Sequence, residues 1–91
     1  MPLPPTVQAT RTSLDGESVL VNATRFFSRQ NSLYPAFPEK RGPTYATFRG
    51  QGGEELTIGV ASSPEGGTAV TGSSYMFDAQ IARFFSTLPQ A

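Results

Sequence analysis

Residues 54–88, EELTIGVASSPEGGTAVTGSSYMFDAQIARFFSTL, decide how the rest of the chain is read. Leu56, Ile58 and Val60 alternate with Thr57, Gly59 and Ala61, the period-two pattern of a strand with one buried face. Pro64-Glu65-Gly66-Gly67 follows as a turn, since proline presets the first corner and glycine accepts positive φ. After Asp78 the apolar residues Ile81, Phe84, Phe85 and Leu88 fall at i, i+3, i+4 and i+7, one face of a helix. The unit is strand, turn, strand and amphipathic helix, and the remaining chain must cover it.

Working upstream, Thr44 to Arg49 alternates Ala46 and Phe48 against Tyr45, Thr47 and Arg49, and Gly50-Gln51-Gly52-Gly53 turns the chain into a second strand, Glu55 to Ser62. A third strand runs from Thr68 to Phe77. Its alternation is disturbed at Gly72-Ser73-Ser74, where a bulge or bend is expected. Asp78 caps the last helix and Pro89 ends it. Residues 15–30 read as a first helix, with Asp15 at the N-cap and Leu14 and Val19 at hydrophobic-staple spacing. Val19, Ala23, Phe26, Phe27 and Gln30 lie along one side of it with Leu20 beside them. The run Val19-Leu20-Val21 also fits a strand.

The fold class expected is therefore α+β: a small α-β-β-β-α domain, a three-stranded antiparallel meander with two helices packed on one face. Phe48, Leu56, Ile58, Val60 and Val70 point to the helices. Tyr45, Thr47, Thr57, Thr71, Ser73 and Tyr75 make up the other face, which is rich in hydroxyls and has nothing left in the chain to cover it.

Two stretches fall outside this pattern. Residues 31–43 carry Pro35, Pro38 and Pro43, which break both helix and ladder, so they read as an irregular connection. Leu33, Tyr34 and Phe37 within it would close the end of the core or, alternatively, form a docking surface. Residues 1–12 carry Pro2, Pro4 and Pro5 with Leu3 among them and read as a proline-rich extended arm, set apart from a single domain over 13–91. Such an arm reaches about 35–40 Å at roughly 3.1–3.3 Å per residue, far enough to lace onto a neighbouring subunit.

Composition narrows the chemistry. The 91 residues include no Cys and no His, which removes disulfides, thiolate chemistry, the commonest zinc ligands and the side chain best suited to proton transfer near neutral pH. Seven Lys and Arg balance seven Asp and Glu. Nucleic-acid binders depend on a basic excess to neutralise phosphates, so no nucleic acid is expected as partner. Near-zero net charge weakens mutual repulsion, which suits a protein that lives inside an assembly. No signal-peptide pattern and no window of about twenty apolar residues occurs. The expected location is cytoplasmic, or membrane-extrinsic on the cytoplasmic side, with a processed periplasmic form as the remaining alternative.

Motifs that invite a catalytic reading have simpler ones. Gly50-Gln51-Gly52-Gly53 is followed by a strand, whereas a phosphate cradle opens a helix; it reads as a hairpin turn. Glu54 and Glu55 are adjacent in a strand and so point to opposite faces. The serines have no base beside them, and Lys40 sits with Arg41 in the proline-rich connection. Arg25-Phe26-Phe27-Ser28 recurs as Arg83-Phe84-Phe85-Ser86; two helices packing on one sheet would each use a Phe pair as core filler, with Arg kept in water. Arg49 with Tyr45 on the open face resembles a base-stacking surface, without the basic excess that such surfaces carry.

These readings point to a cofactor-free, non-catalytic accessory or scaffold subunit that docks on a larger protein complex. A membrane-embedded complex of photosynthetic or respiratory type is one such assembly, with this chain as an extrinsic polypeptide that has no transmembrane segment of its own. The residues expected to bind the partner are Pro2, Leu3, Pro4, Pro5, Tyr34, Phe37, Tyr45, Arg49 and Tyr75. The alternative is a small domain holding an apolar ligand between sheet and helices, which would need a cavity between Phe27, Phe85 and the strands.

Overall fold

The computed structural model describes residues 6–30, 36–74 and 77–91. Five strands and two helices follow in the order β1 (Thr6–Thr12), α1 (Gly16–Arg25), β2 (Ala36–Arg41), β3 (Tyr45–Gly50), β4 (Glu55–Ser62), β5 (Thr68–Ser74) and α2 (Asp78–Ser86), with a π-helical segment, Phe26–Gln30, continuing α1. The strands form one sheet in the order β1-β5-β4-β3-β2, every neighbouring pair antiparallel. The protein is a small α+β domain, as expected. The sheet is larger than expected, five strands rather than three: β2 to β5 form a four-stranded meander, and β1 joins it beside β5.

Both added strands come from stretches without a core-facing apolar pattern. Residues 6–12 of the stretch read as an arm are extended, but they pair with β5 from Thr6↔Ser74 to Thr12↔Thr68; residues 1–5 lie outside the described residues. Ala36–Arg41, read as an irregular connection, is β2, paired with β3 and bulged between Pro38 and Lys40. An edge strand has a ladder on one side only, and a bulge beside it accommodates a residue that cannot donate. That is why Pro38 does not prevent a strand here. Phe37, expected either to close the core or to form a docking surface, is 57% exposed, and its neighbour Ala36 is buried.

The central strands follow the alternation. Leu56, Ile58, Val60, Ala46, Phe48 and Val70 are buried under the helices. Both expected turns are present: Gly53 N donates to Gly50 O (3.0 Å) and Gly66 N to Ser63 O (3.0 Å), and Gly53, Gly66 and Gly67 adopt the positive φ these turns require. β5 is regular through Gly72-Ser73-Ser74 against both neighbours, so the expected bulge does not occur. Gly72 faces the helices, and a Cβ there would come within 2.8 Å of Ile81 Cγ2. The broken alternation marks a close helix approach.

A cluster of phenylalanine rings fills the space between helices and sheet. Phe27 lies against Phe26, Phe48 and Phe84 with ring centroids 5.1–5.4 Å apart, and Phe84 stands between Phe27 and Phe85, whose centroid is 6.2 Å from it. Arg25 and Arg83 stay exposed beside the Phe pairs, as the core-filler reading of the repeated Arg-Phe-Phe-Ser expects. Among the described residues no helix is long and apolar enough to cross a membrane.

Candidate docking face

α1 packs over β3 and β4, and α2 over β1 and β5, so both helices lie on one side of the sheet. The other side is built by the strand positions that alternate with the core. Cross-strand pairing places Val7, Ser73, Thr57, Thr47 and Lys40 in one row, and Ala9, Thr71, Gly59 and Tyr45 in the next. Arg11, Ala69 and Ala61 lie below them, and Glu55, Arg49 and Phe37 above. The centre is small and rich in hydroxyls. At Gly59 a Cβ would lie 3.0 Å from Thr71 Oγ1, so even this least bulky position is partly shielded by its neighbour.

Charge is confined to the margin, and most of it is paired. Arg49 Nε donates to Glu39 Oε2, its Nη2 to Glu39 Oε1 (3.1 Å) and Glu55 Oε2 (3.2 Å), and its Nη1 to Gly53 O (2.8 Å). The hydrogen bond from Arg49 holds the Glu39 carboxyl below its ordinary value, and Glu39 in turn raises the guanidinium. At the diagonally opposite corner Arg11 Nη1 meets Glu65 Oε2 at 3.0 Å. Exposed pairs of this kind add little stability. Their effect on this face is to leave Arg49 with no free donor set for a phosphate.

Large apolar side chains also gather here. Four are exposed among the described residues: Val7 (66%), Phe37 (57%), Val21 (40%) and Tyr45 (39%). Three of them, Val7, Phe37 and Tyr45, rim the open face. Tyr45 is held in place by Gly42, whose missing side chain leaves room for the phenol ring. Of the residues expected to bind a partner, Phe37, Tyr45 and Arg49 are thus brought onto one surface, with Phe37 directly across from Arg49. Pro2, Leu3, Pro4, Pro5, Tyr34 and Tyr75 lie outside the described residues. Val7 was missed. Its signal is the alternation of Val7, Ala9 and Arg11 against Gln8, Thr10 and Thr12, visible once residues 6–12 are read as a strand and not as an arm.

Elsewhere an open groove of about 400 Å³ runs between α1 and β2, lined by Val21, Thr24, Arg25, Ser28, Pro38 and Arg41. Arg41 is engaged by Glu17 at 2.7 Å. Among the described residues no three His, Cys, Asp or Glu side chains gather as a metal site would require. Compared with protein-family models, curated proteins and solved structures, the chain matches none.

Proposed function

We propose that the protein is a non-catalytic accessory subunit that docks on a larger protein assembly through the open face of its sheet. One observation carries this reading: among the described residues, three of the four large exposed apolar side chains rim a face whose centre bears no charge and whose marginal arginines are already paired. Protein interfaces are depleted of charge at their centre and enriched in aromatic anchors. The size is also adequate. Five strands about 4.8 Å apart and some seven residues long at roughly 3.3 Å each span about 550 Å² in projection. Side-chain relief brings this toward the ~800 Å² per partner of a standard interface. The absence of His and Cys from the sequence supports a structural over a catalytic task. A membrane complex remains the assembly favoured at the level of general inventory, with partners supplying the membrane-spanning part.

The test is the native mass of the untagged protein in extracts of its source, compared with a Thr57→Arg/Thr71→Arg variant. The wild type should elute within a complex many times its 9.7 kDa, and the variant outside it, with the purified variant melting as the wild type does. A wild type that elutes only as its own monomer or dimer overturns the proposal.

A further inference from the structure

β2 to β5 each contribute to the core: Ala36 from β2, Ala46 and Phe48 from β3, Leu56, Ile58 and Val60 from β4, Val70 from β5. β1 contributes none. Its helix-facing positions are Gln8, Thr10 and Thr12, and its open-face positions are Val7, Ala9 and Arg11. What holds it is the ladder to β5 and a few polar links: Gln8 Nε2 to Asp78 O (2.9 Å), Thr12 Oγ1 to Pro89 O (2.6 Å) and Arg11 to Glu65 (3.0 Å). Removing β1 takes no apolar side chain out of the core. β1 does pack under α2, and Thr12 is fully buried there, but an edge strand held by its ladder and by polar side chains, with no apolar side chain in the core, belongs to the part of a domain that opens most readily.

We propose that β1 is an exchangeable strand, and that two copies of the chain form a dimer in which each β1 completes the other copy's sheet along β5. The occupant follows from the fit. The strand with the right register, the right polar face toward α2 and an arginine at the place of Glu65 is β1 itself, so a second copy remakes every bond named above. Only residues 13–15, the link between β1 and α1, change conformation. Short links of this kind favour exchange, because extending them relieves the tight return of the chain. With all other contacts identical, concentration decides between the two forms. The exchange uses the edge of the sheet and rebuilds the same open face, so it stands apart from the docking proposed above.

The chain has no cysteine, which makes the test clean. Val7 and Ser73 are opposite each other across β1 and β5 on the open face. Val7→Cys and Ser73→Cys, made as separate single variants, are unfolded together, refolded at high concentration and oxidised. A swapped dimer gives an intermolecular link between positions 7 and 73, and light scattering of the wild type shows the dimer share rising about tenfold from about 10 μM to about 1 mM. Inserting Gly-Ser-Gly after Ser13 returns the protein to monomer. Should either cysteine variant fail to fold, Ala9→Cys with Thr71→Cys reads the same pairing one row along. A protein monomeric throughout this range overturns the proposal, as does a dimer in which neither cross-strand link forms.

Discussion

Gly72 and Ile81 meet where α2 crosses the sheet: a Cβ on Gly72 would lie 2.8 Å from Ile81 Cγ2 and 3.3 Å from its Cδ1. Ile58 Cδ1 on the neighbouring strand would lie 3.4 Å from the same Cβ, so the added methyl has nowhere to go except by lifting the helix. Gly72→Ala should destabilise the domain by about 1–3 kcal/mol, the usual range for overpacking. Ile81→Leu in the same chain should restore part of the loss, because it removes the Cγ2 branch that the new methyl meets first and keeps the side-chain volume. Urea unfolding of the two variants checks this, and equal midpoints for wild type and Gly72→Ala would remove the close-packing account of this glycine.

The phenylalanine cluster makes a sharper contrast between neighbours in sequence. Phe84 is fully buried against Phe26 and Phe27, while Phe85 only flanks the core. Phe84→Ala should cost about 3–5 kcal/mol, comparable to the whole stability of about 5 kcal/mol at the low end for domains, so the variant should be largely unfolded at room temperature by circular dichroism. Phe85→Ala should remain folded with a reduced melting temperature.

The carboxylates of Glu39 and Asp15 set a direction for pH dependence. Hydrogen bonding from Arg49 lowers Glu39 below 4.5, and the Ser18 hydroxyl, 2.5 Å from Asp15 Oδ1, lowers Asp15 below 3.8. A carboxyl lowered in the folded state contributes stability that is present above its unfolded value and lost as pH falls through the lowered one. The difference in stability between wild type and Glu39→Gln should therefore be seen at neutral pH, shrink below about pH 4.5 and vanish toward pH 2. Both groups are exposed, so it should also be small and shrink further in about 1 M salt. Denaturation midpoints measured across that range decide it; a gap that widens toward acid would reverse the assignment.

What could be read from the sequence divides along a physical line. Where a strand or helix owes its place to burying apolar side chains, as in β3, β4, α2 and most of α1, the alternation of Phe48, Leu56, Ile58 and Val60 and the helical spacing of Ile81, Phe84 and Leu88 located it to within a residue or two. β1 and β2 owe their places to ladder hydrogen bonds along the sheet edges. Pro38 and Lys40 carry no hydrophobic period, and in β1 the short alternation of Val7 and Ala9 against Gln8 and Thr10 puts its apolar residues on the open face, so no core-facing pattern announced either strand. The open face was legible because it is the complement of the core positions on the same strands. Its paired margin was only half legible, since Arg49 and Glu55 face each other across the β3–β4 hairpin, whereas Glu39 meets Arg49 only once β2 is known to lie beside β3.

Phe37 separates a stability role from a docking role. It sits on the edge strand with more than half its surface in water, so Phe37→Ser removes little buried area, and its effect on unfolding should stay within about 0.5 kcal/mol, as for ordinary surface positions. If the open face binds a partner, the same side chain becomes a buried aromatic anchor beside the neutralised Arg49, and anchors of that kind cost more than about 1 kcal/mol when truncated. The variant should therefore keep its melting temperature yet compete at least about fivefold less well than wild type for incorporation into the native complex. Mixed extracts containing tagged wild type and untagged variant measure this directly. Equal incorporation would place the docking contact elsewhere, whereas a loss of both stability and incorporation would show that Phe37 supports the sheet edge.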